Sequence, residues 1–520
     1  MLTKLRGLSK SLAIYGLGDA AIQAINFLLL PVYVQYLSRT DYGIIALLAA
    51  VEAPLKLLFR WGVDGAFMRF WYEEDQHGRQ RLASTLFLFL LAANGILLAA
   101  AVLLAPLLSQ RLFDQPGYTL ALQLVLLNTF AIGFTFIPFH VLRIQNKPAQ
   151  YSALALARSV ATLVGRLVLI VGFGWGVMGI IVTDVVVTAV LLVVLLPWFR
   201  PLIRLTFSKQ ALRESLAFGL PRVPHGFALQ LMAVADRFIL QKFRTTAEIG
   251  LYSMGVSFGL IPKIVLAAFE SAWAPFYYAT SREPDARRVF ATVTTYGVAL
   301  LALMTAVLAA TGRDLLDLMT RGEFTAAAPV VTWTAVGVFF YGCYLLTSIG
   351  LNITRNTRYY PVSTMAGAAV NVGLNLALIP GYGMLGAAWA NAAAYAVQSA
   401  IAFRFSQQFY RVDYERGRLT RALLAAIAGY AVAILLPPVG RIADILVRGM
   451  TVPLVMVALL WTTRFFNAAE LRRIDELRTR RGRAPARPVT TSPDTTEMAG
   501  EIVSVEVPDQ VVVAAPEKRR

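Results

Sequence analysis

Residues 174–199 read GWGVMGIIVTDVVVTAVLLVVLLPWF, and this stretch decides the fold class. From Val177 to Phe199 the only charged residue is Asp184. A helix of about 20 apolar residues crosses the hydrocarbon core of a bilayer, where every backbone amide needs an internal partner. The stretch therefore predicts a transmembrane helix that begins just after a glycine-rich turn.

Apolar runs of this kind recur along the whole chain, whose residues are 57% hydrophobic and only 15% charged. A soluble globular chain carries about 25% charged residues. We therefore expect an all-α polytopic membrane protein with about 14 transmembrane helices. The predicted spans are 11–37, 42–62, 84–108, 118–142, 151–172, 177–199, 215–240, 248–272, 289–311, 326–350, 360–380, 384–406, 419–437 and 446–466.

Two short segments repeat at one fixed distance. GWGVMG at 174–179 recurs as GYGMLG at 381–386, and SRTDYG at 38–43 recurs as TTAEIG at 245–250, each 207 residues later. Each repeat unit holds six predicted spans, and an even number means that both units enter the membrane from the same side. We expect two parallel six-helix repeats facing a central cavity, followed by two C-terminal helices.

The predicted domain organisation follows from the repeat. Residues 1–210 form the N-terminal six-helix half, residues 211–412 the C-terminal half, and residues 413–466 helices 13 and 14. Residues 467–520 lack an apolar period, so we expect a cytoplasmic tail that is largely disordered.

The formal net charge of +18 is explained by membrane topology. Loops on the N-terminal side of the predicted spans hold 22 Lys and Arg residues, and loops on the opposite side hold 8. Cytoplasmic loops carry this excess of positive charge, so both termini are predicted to lie in the cytoplasm. Because the basic residues sit in short loops between apolar runs, we expect no nucleic-acid partner.

Several chemistries are disfavoured by the motif content. With one cysteine, Cys343, the chain cannot form an intramolecular disulfide. One cysteine and three histidines that lie far apart in the sequence disfavour a zinc site. Both glycine motifs match G-x-G-x-x-G, but an apolar helix precedes each copy where a dinucleotide site needs a strand. No ATP-binding P-loop pattern occurs. We predict no metal, no cofactor and no enzymatic activity.

Ionisable residues inside predicted spans are the candidate functional residues, because charge is costly in lipid. Lys56 lies midway between Glu52 and Arg60 at four-residue spacing, which places all three on one helix face. The cationic candidates for a substrate cavity are Arg166, Arg222, Lys56 and Arg158, and the candidates for ion coupling are His225, Asp184 and Asp236.

Structural explanations compete with these assignments. Glu52 and Lys56 have the spacing of a helical salt bridge. Arg158 can extend to the cytoplasmic interface along its apolar stem. Asp236 precedes an arginine, which fits an ion pair that holds structure. His225, with an ordinary pKa of ~6.5, fits a hydrogen-bonded packing residue as well as a proton relay.

Three stretches of the chain resemble a known family. NVGLNLALIPGYGMLGAA at 371–388 is similar to the C-terminal hallmark of bacterial polysaccharide biosynthesis transporters. DRFIL at 236–240, followed by EIGLYS at 248–253, resembles their mid-chain element, and LPVY at 30–33 through DYG at 41–43 resembles their opening hairpin. These transporters are the lipid-linked oligosaccharide (Wzx-type) flippases of the multidrug/oligosaccharidyl-lipid/polysaccharide exporter superfamily, which includes the MATE transporters.

The resemblance implies movement of an undecaprenyl-diphosphate-linked oligosaccharide across the bacterial cytoplasmic (inner) membrane for O-antigen, capsule or exopolysaccharide synthesis. The implied partners are this lipid-linked oligosaccharide and membrane lipids, with a polysaccharide polymerase and glycosyltransferases in the same pathway. Arginine suits the diphosphate because its planar guanidinium donates two parallel hydrogen bonds to phosphate oxygens.

Other activities stay open at this point. A drug or cation antiporter of the same superfamily would need a less cationic cavity with an acidic exchange residue. A lipid II flippase shares the count of about 14 helices. A membrane glycosyltransferase or polymerase would need a large outer loop, and no predicted outer loop exceeds roughly 15 residues.

Overall fold

The computed structural model of the chain describes residues 30–113, 117–145, 147–204 and 206–467, and these residues form α-helices joined by short turns. The helices up to the middle of the chain are α1 (Leu30–Tyr33), α2 (Arg39–Leu58), α3 (Val63–Trp71), α4 (Gln76–Leu112), α5 (Thr119–Ile132), α6 (Phe136–Ile144), α7 (Pro148–Arg166), α8 (Gly176–Phe199) and α9 (Lys209–Gly219). The later helices are α10 (Val223–Phe243), α11 (Thr246–Gly259), α12 (Ile261–Thr280), α13 (Ala286–Thr320), α14 (Ala328–Thr347), α15 (Ile349–Ile353), α16 (Tyr359–Phe409), α17 (Arg416–Leu435) and α18 (Arg441–Thr462).

Membrane-length helices dominate the described part of the chain. Ten helical segments are long and apolar enough to cross a membrane, and the number rises to 11 when α11 and α12, bent by 44°, count as one span. Most of the predicted first span, 11–37, lies outside the described residues. The protein is therefore a multi-pass membrane protein, and its total of 14 helices stays a prediction.

Helix α16 contains two of the predicted spans. A continuous helix of 51 residues would be about 76 Å long, more than twice the ~30 Å hydrocarbon core. Gly383 interrupts it with φ 56° and ψ −132°, a conformation that favours glycine. The chain thus turns at Gly383 between the spans predicted at 360–380 and 384–406. In the first repeat, Gly174 (φ 69°) and Gly176 (φ 52°) make the corresponding turn.

The predicted span 215–240 is wrong as a single helix. The structure has two helices there, α9 and α10, separated by a short turn at Leu220–Arg222. Pro221 lies in this turn, and proline lacks the backbone N–H that a continuous helix would use. Ser208 caps the N-terminus of α9, and its Oγ accepts a hydrogen bond from the Ala211 N–H. Helix α9 packs against α3 and α4.

The last two helices pack on each other and against α13. Arg448 of α18 forms an ion pair with Asp314 of α13 at 2.8 Å, with both side chains less than one-fifth exposed. Nearer the end of the same interface, Arg441 contacts Asp317 at 2.9 Å. Two ion pairs therefore attach α18 to α13.

Candidate functional site

A polar cavity of about 590 Å³ lies among the helices that precede residue 200. Helices α2, α5, α6, α7 and α8 supply its walls, and an adjoining pocket of about 150 Å³ continues it past Ile45 and Leu48. The residues that line the main cavity are Glu52, Lys56, Arg60, Asn128, Ile132, Thr135, Phe136, Phe139, His140, Arg143, Tyr151, Ala155, Arg158, Ser159, Thr162, Arg166 and Asp184.

Helix α7 provides the longest wall of this cavity. Its lining residues recur every three or four positions from Tyr151 through Arg158 to Arg166, so they form one polar face of the helix. Fifteen residues at 1.5 Å per residue give this face a length of about 22 Å, most of the depth of a ~30 Å hydrocarbon core. The cavity therefore carries polar groups deep into the membrane-spanning region.

The charge of the cavity is positive. Among the lining residues that the structure describes, five are basic and two are acidic, namely Lys56, Arg60, Arg143, Arg158 and Arg166 against Glu52 and Asp184. The difference is three positive charges that no lining carboxylate balances. In a site of low dielectric such an excess attracts an anion strongly.

Two of the basic residues are paired within the cavity. The Arg166 Nη2 donates to both carboxylate oxygens of Asp184, at 3.0 and 2.9 Å, and so joins α7 to α8. The Lys56 Nζ lies 2.7 Å from a Glu52 carboxylate oxygen one turn away. The salt bridge that the spacing of Glu52 and Lys56 suggested is therefore present.

Arg158 has no such partner among the described residues. No described carboxylate lies within 4.0 Å of its guanidinium, although it shares the cavity with Glu52 and Asp184. Arg143 instead contacts a phenol, since its Nη2 donates to the Tyr151 hydroxyl at 2.6 Å and its guanidinium lies 4.6 Å from the Tyr151 ring centre. Both guanidiniums retain donors that can be given to an anionic ligand.

Three buried polar atoms on lining residues have no hydrogen-bond partner within the described part of the chain. They are the Arg166 Nε, the Asn128 Oδ1 and the His140 Nδ1. Buried polar atoms in proteins are nearly always satisfied, so these atoms need a ligand or ordered water. His140 also stacks on Phe67, with ring centres 6.4 Å apart.

The structure places the predicted site residues in two regions. Lys56, Arg158, Arg166 and Asp184, which lie on three different helices, meet in the one cavity. Asp236 lies elsewhere, buried on α10, where it accepts hydrogen bonds from the Tyr252 hydroxyl and from Arg237.

Arg222 and His225 remain predictions, because their side chains lie outside the described residues. Arg222 ends the turn before α10, and His225 lies on α10, which packs against α2. A Cβ added at Gly226 would lie 3.2 Å from Leu57, next to Lys56.

Several lining residues were missed at the sequence level. They are Asn128, Thr135, His140, Arg143, Tyr151, Ser159 and Thr162. The polar stripe Tyr151–Arg158–Thr162–Arg166 on an otherwise apolar helix is a signal that could have identified the face of α7. Asn128 and His140 stand alone in apolar surroundings and give no comparable signal.

Comparisons with known proteins agree with this architecture. The model of a family described as "Polysaccharide biosynthesis protein" matches residues 34–329, more than half of the chain. A Haemophilus influenzae protein of the Lsg locus is 24% identical over 284 residues, which cover 52% of this chain and 65% of that protein. The chain thus spans just under two thirds of this curated relative.

Solved structures share the fold at low sequence identity. The lipid II flippase MurJ in an inward closed conformation is 16% identical, with a TM-score of 0.63 over 86% of this chain and 100% of that chain. An inward-facing multidrug resistance MATE family transporter of the MOP superfamily is 14% identical, with a TM-score of 0.60 over 77% of this chain and 95% of its own. The resemblance seen in the sequence is thereby confirmed, and the chain belongs to the polysaccharide biosynthesis protein family, with the fold of MOP-superfamily transporters.

Proposed function

We propose that this protein is a flippase that moves undecaprenyl-diphosphate-linked oligosaccharide units from the cytoplasmic to the outer leaflet of a bacterial inner membrane. Both termini face the cytoplasm in this proposal. Glycosyltransferases supply the lipid-linked unit, and a polysaccharide polymerase consumes it on the other side.

The observation that carries the proposal is the excess of three positive charges in the cavity of the N-terminal half. A diphosphate diester carries two negative charges and several acceptor oxygens. Two opposite charges 4 Å apart gain about 4 kcal/mol at an effective dielectric constant near 20. Arg158, whose guanidinium has no carboxylate partner among the described residues, is the group best placed to bind the diphosphate.

The proposed cycle assigns separate roles to the cavity residues. Arg60 and Arg143, which line the cavity near the C-terminal ends of α2 and α6, attract the anionic headgroup from the cytoplasmic surface. Arg158 and then Arg166 hold the diphosphate deeper in the membrane. Asn128 and His140 offer hydrogen bonds to sugar hydroxyls. Rocking of the two halves then exposes the headgroup on the outer side.

The charge balance distinguishes this function from its main rival. An antiporter of cationic drugs would place an acidic group free to exchange protons or Na⁺ in its cavity. Here the carboxylates of Glu52 and Asp184 are both engaged by cations, at 2.7 and 2.9 Å. A lipid II flippase would need the same positive charge, so only the identity of the transported glycan separates it from our proposal.

The test is complementation of a strain that lacks the native gene. We expect Arg158→Ala to reduce surface polysaccharide at least tenfold at equal protein level, and Arg158→Lys to retain part of the activity. The lipid-linked unit should accumulate in the cytoplasmic leaflet. Arg111→Ala, at the exposed end of α4 and outside the cavity, is the matched control and should behave as wild type.

Normal polysaccharide display with Arg158→Ala and Arg166→Ala would overturn the proposed role of the cavity. Unchanged sidedness of the lipid-linked unit in the deletion strain, without a second flippase, would overturn the proposed function itself.

A further inference from the structure

An apolar groove of about 710 Å³ runs along the side of α7 and α8 that faces away from the polar cavity. Its lining residues on α7 include Leu154, Ala157 and Ala161, which recur at helical spacing. On α8 they include Val186 and Val190, whose side chains are 53% and 56% exposed. The groove is therefore open to the hydrocarbon core of the membrane.

Helix α7 is the partition between this groove and the cavity. Its polar face lines the cavity and its apolar face lines the groove, and Arg158 contributes to both. The seam between α7 and α8 is closed on the cavity side by the ion pair of Arg166 with Asp184. On the groove side, Gly165 packs closely against Thr183. The two compartments are thus separated by a single helix and one seam.

The partition is loosely packed. None of the residues 149–166 is buried. The corresponding helix of the second repeat, 207 residues later, has five buried residues: Ser363, Thr364, Gly367, Ala368 and Asn371. A short π-helical turn, Leu167–Gly172, follows α7, and such turns are frequent at functional sites in helices. Within the described part of the chain, few contacts therefore oppose a lateral displacement of α7.

We propose that the α7–α8 groove binds the isoprenoid chain of the transported lipid while its diphosphate lies in the cavity at Arg158. This inference rests on the proposed flippase function. It assigns the headgroup and the isoprenoid chain of the transported lipid to two adjoining sites on either side of α7. Displacement of α7 at its seam with α8 opens the lateral path between cavity and lipid.

The depth of Arg158 favours the chain of the transported lipid over the acyl chain of an ordinary phospholipid. Arg158 lies ten residues into α7, about 15 Å along the helix axis, a distance equal to half the thickness of a ~30 Å hydrocarbon core. A resident phospholipid keeps its headgroup at the membrane surface. Only a lipid whose headgroup is in transit can place phosphate at Arg158 and its chain in the adjoining groove.

The first experiment is photocrosslinking in the full chain reconstituted in lipid nanodiscs. A photoreactive p-benzoylphenylalanine at Val186 or Val190 should label undecaprenyl diphosphate, and Arg158→Ala should abolish the adduct. The matched control position is Ile96, which is 72% exposed near the middle of α4 and outside the groove. Equal labelling of undecaprenyl diphosphate at Ile96 and Val186, or labelling of bulk phospholipid alone, would overturn the proposal.

The second experiment fills the groove without altering charge. Val186→Trp should weaken binding of undecaprenyl diphosphate at least tenfold and leave the affinity for inorganic diphosphate unchanged, whereas Ile96→Trp should change neither. If Val186→Trp fails to fold, Val190→Trp gives the same comparison. Unchanged affinity of the groove variants for undecaprenyl diphosphate contradicts the groove assignment alone. If the wild-type protein binds neither probe, the proposed function fails as well.

Discussion

Gly43 and Gly250, which occupy equivalent positions 207 residues apart in the two repeats, pack reciprocally against each other's helices. A methyl group on Gly43 would overlap the backbone carbonyl of Thr246, and one on Gly250 would overlap that of Arg39. Arg39 and Thr246 are themselves 207 residues apart. The contact between α2 and α11 therefore has the two-fold pseudosymmetry expected for two parallel repeats.

We predict that Gly43→Ala or Gly250→Ala destabilises this closed contact. Overpacking typically costs about 1–3 kcal/mol, and here the obstacle is backbone, which cannot rotate away. Thermal unfolding of the purified protein should show the loss, and a cysteine introduced at Thr40 should become more reactive toward a maleimide. Gly95→Ala on α4, where a methyl group meets no atom within 4 Å, is the control. Equal thermal stability and equal maleimide reactivity of the three variants would contradict the packing argument.

Asp184→Asn should tighten the binding of a diphosphate lipid severalfold and slow its release. The substitution removes a carboxylate that occupies Arg166, so the cavity gains one unpaired cation. Both side chains are at least one-quarter exposed, so the stability of the fold should change by less than about 1 kcal/mol. Equilibrium binding of undecaprenyl diphosphate and the rate of its transport into vesicles measure the two effects. Weaker binding by a folded Asp184→Asn protein would count against an anionic ligand.

At the turn in α16, Gly383→Ala should destabilise the protein by more than about 1 kcal/mol, whereas Gly381→Ala should have little effect. Gly383 has φ 56°, and a methyl group there would overlap the carboxylate of Glu248. That carboxylate accepts a hydrogen bond from the Met384 N–H at 2.9 Å. Gly381 has open space around it. Thermal unfolding of the two variants side by side measures the difference, and equal losses would show that the Glu248 contact is unimportant.

The two ion pairs between α13 and α18 should differ in their contribution to stability. Arg448→Ala leaves Asp314 without its partner in a largely buried interface, where breaking a pair costs up to about 3–5 kcal/mol. Arg441→Ala removes a partner whose side chain is 63% exposed, and such pairs contribute about 0–1 kcal/mol. In thermal unfolding, the melting temperature of the Arg448→Ala variant should be well below that of the Arg441→Ala variant. Combining Arg448→Met with Asp314→Leu should recover much of the loss, because no unpaired charge remains.

The membrane-spanning helices and much of the cavity could be predicted from the sequence for one physical reason. Lipid requires apolar side chains around a helix, so each charged residue inside an apolar run stands out. Lys56, Arg158 and Arg166 were identified in this way, and the structure brings them into a single cavity. The repeat distance likewise predicted the equivalence of the elements that contain Gly43 and Gly250.

Contacts between helices could not be predicted, because helical periodicity reports which face a residue occupies and not which residue it meets. The pairing of Arg166 with Asp184 and the hydrogen bond from Tyr252 to Asp236 depend on how neighbouring helices align. The division of α9 from α10 was missed because the apolar pattern continues through Pro221, and only the backbone chemistry of proline marks the break.

The uncompensated positive charge of the cavity also bears on the return step of the proposed transport cycle. In that proposed cycle, an empty cavity exposed to the outer side holds three excess cations on its described lining residues, whereas a loaded one has two of them balanced by the diphosphate. Bacterial membranes are negative inside, and each elementary charge that crosses 100 mV contributes about 2.3 kcal/mol of work. The potential therefore drives the empty carrier inward more strongly than it resists the loaded one. In the proposed cycle, the membrane potential therefore favours net movement of the anionic substrate outward.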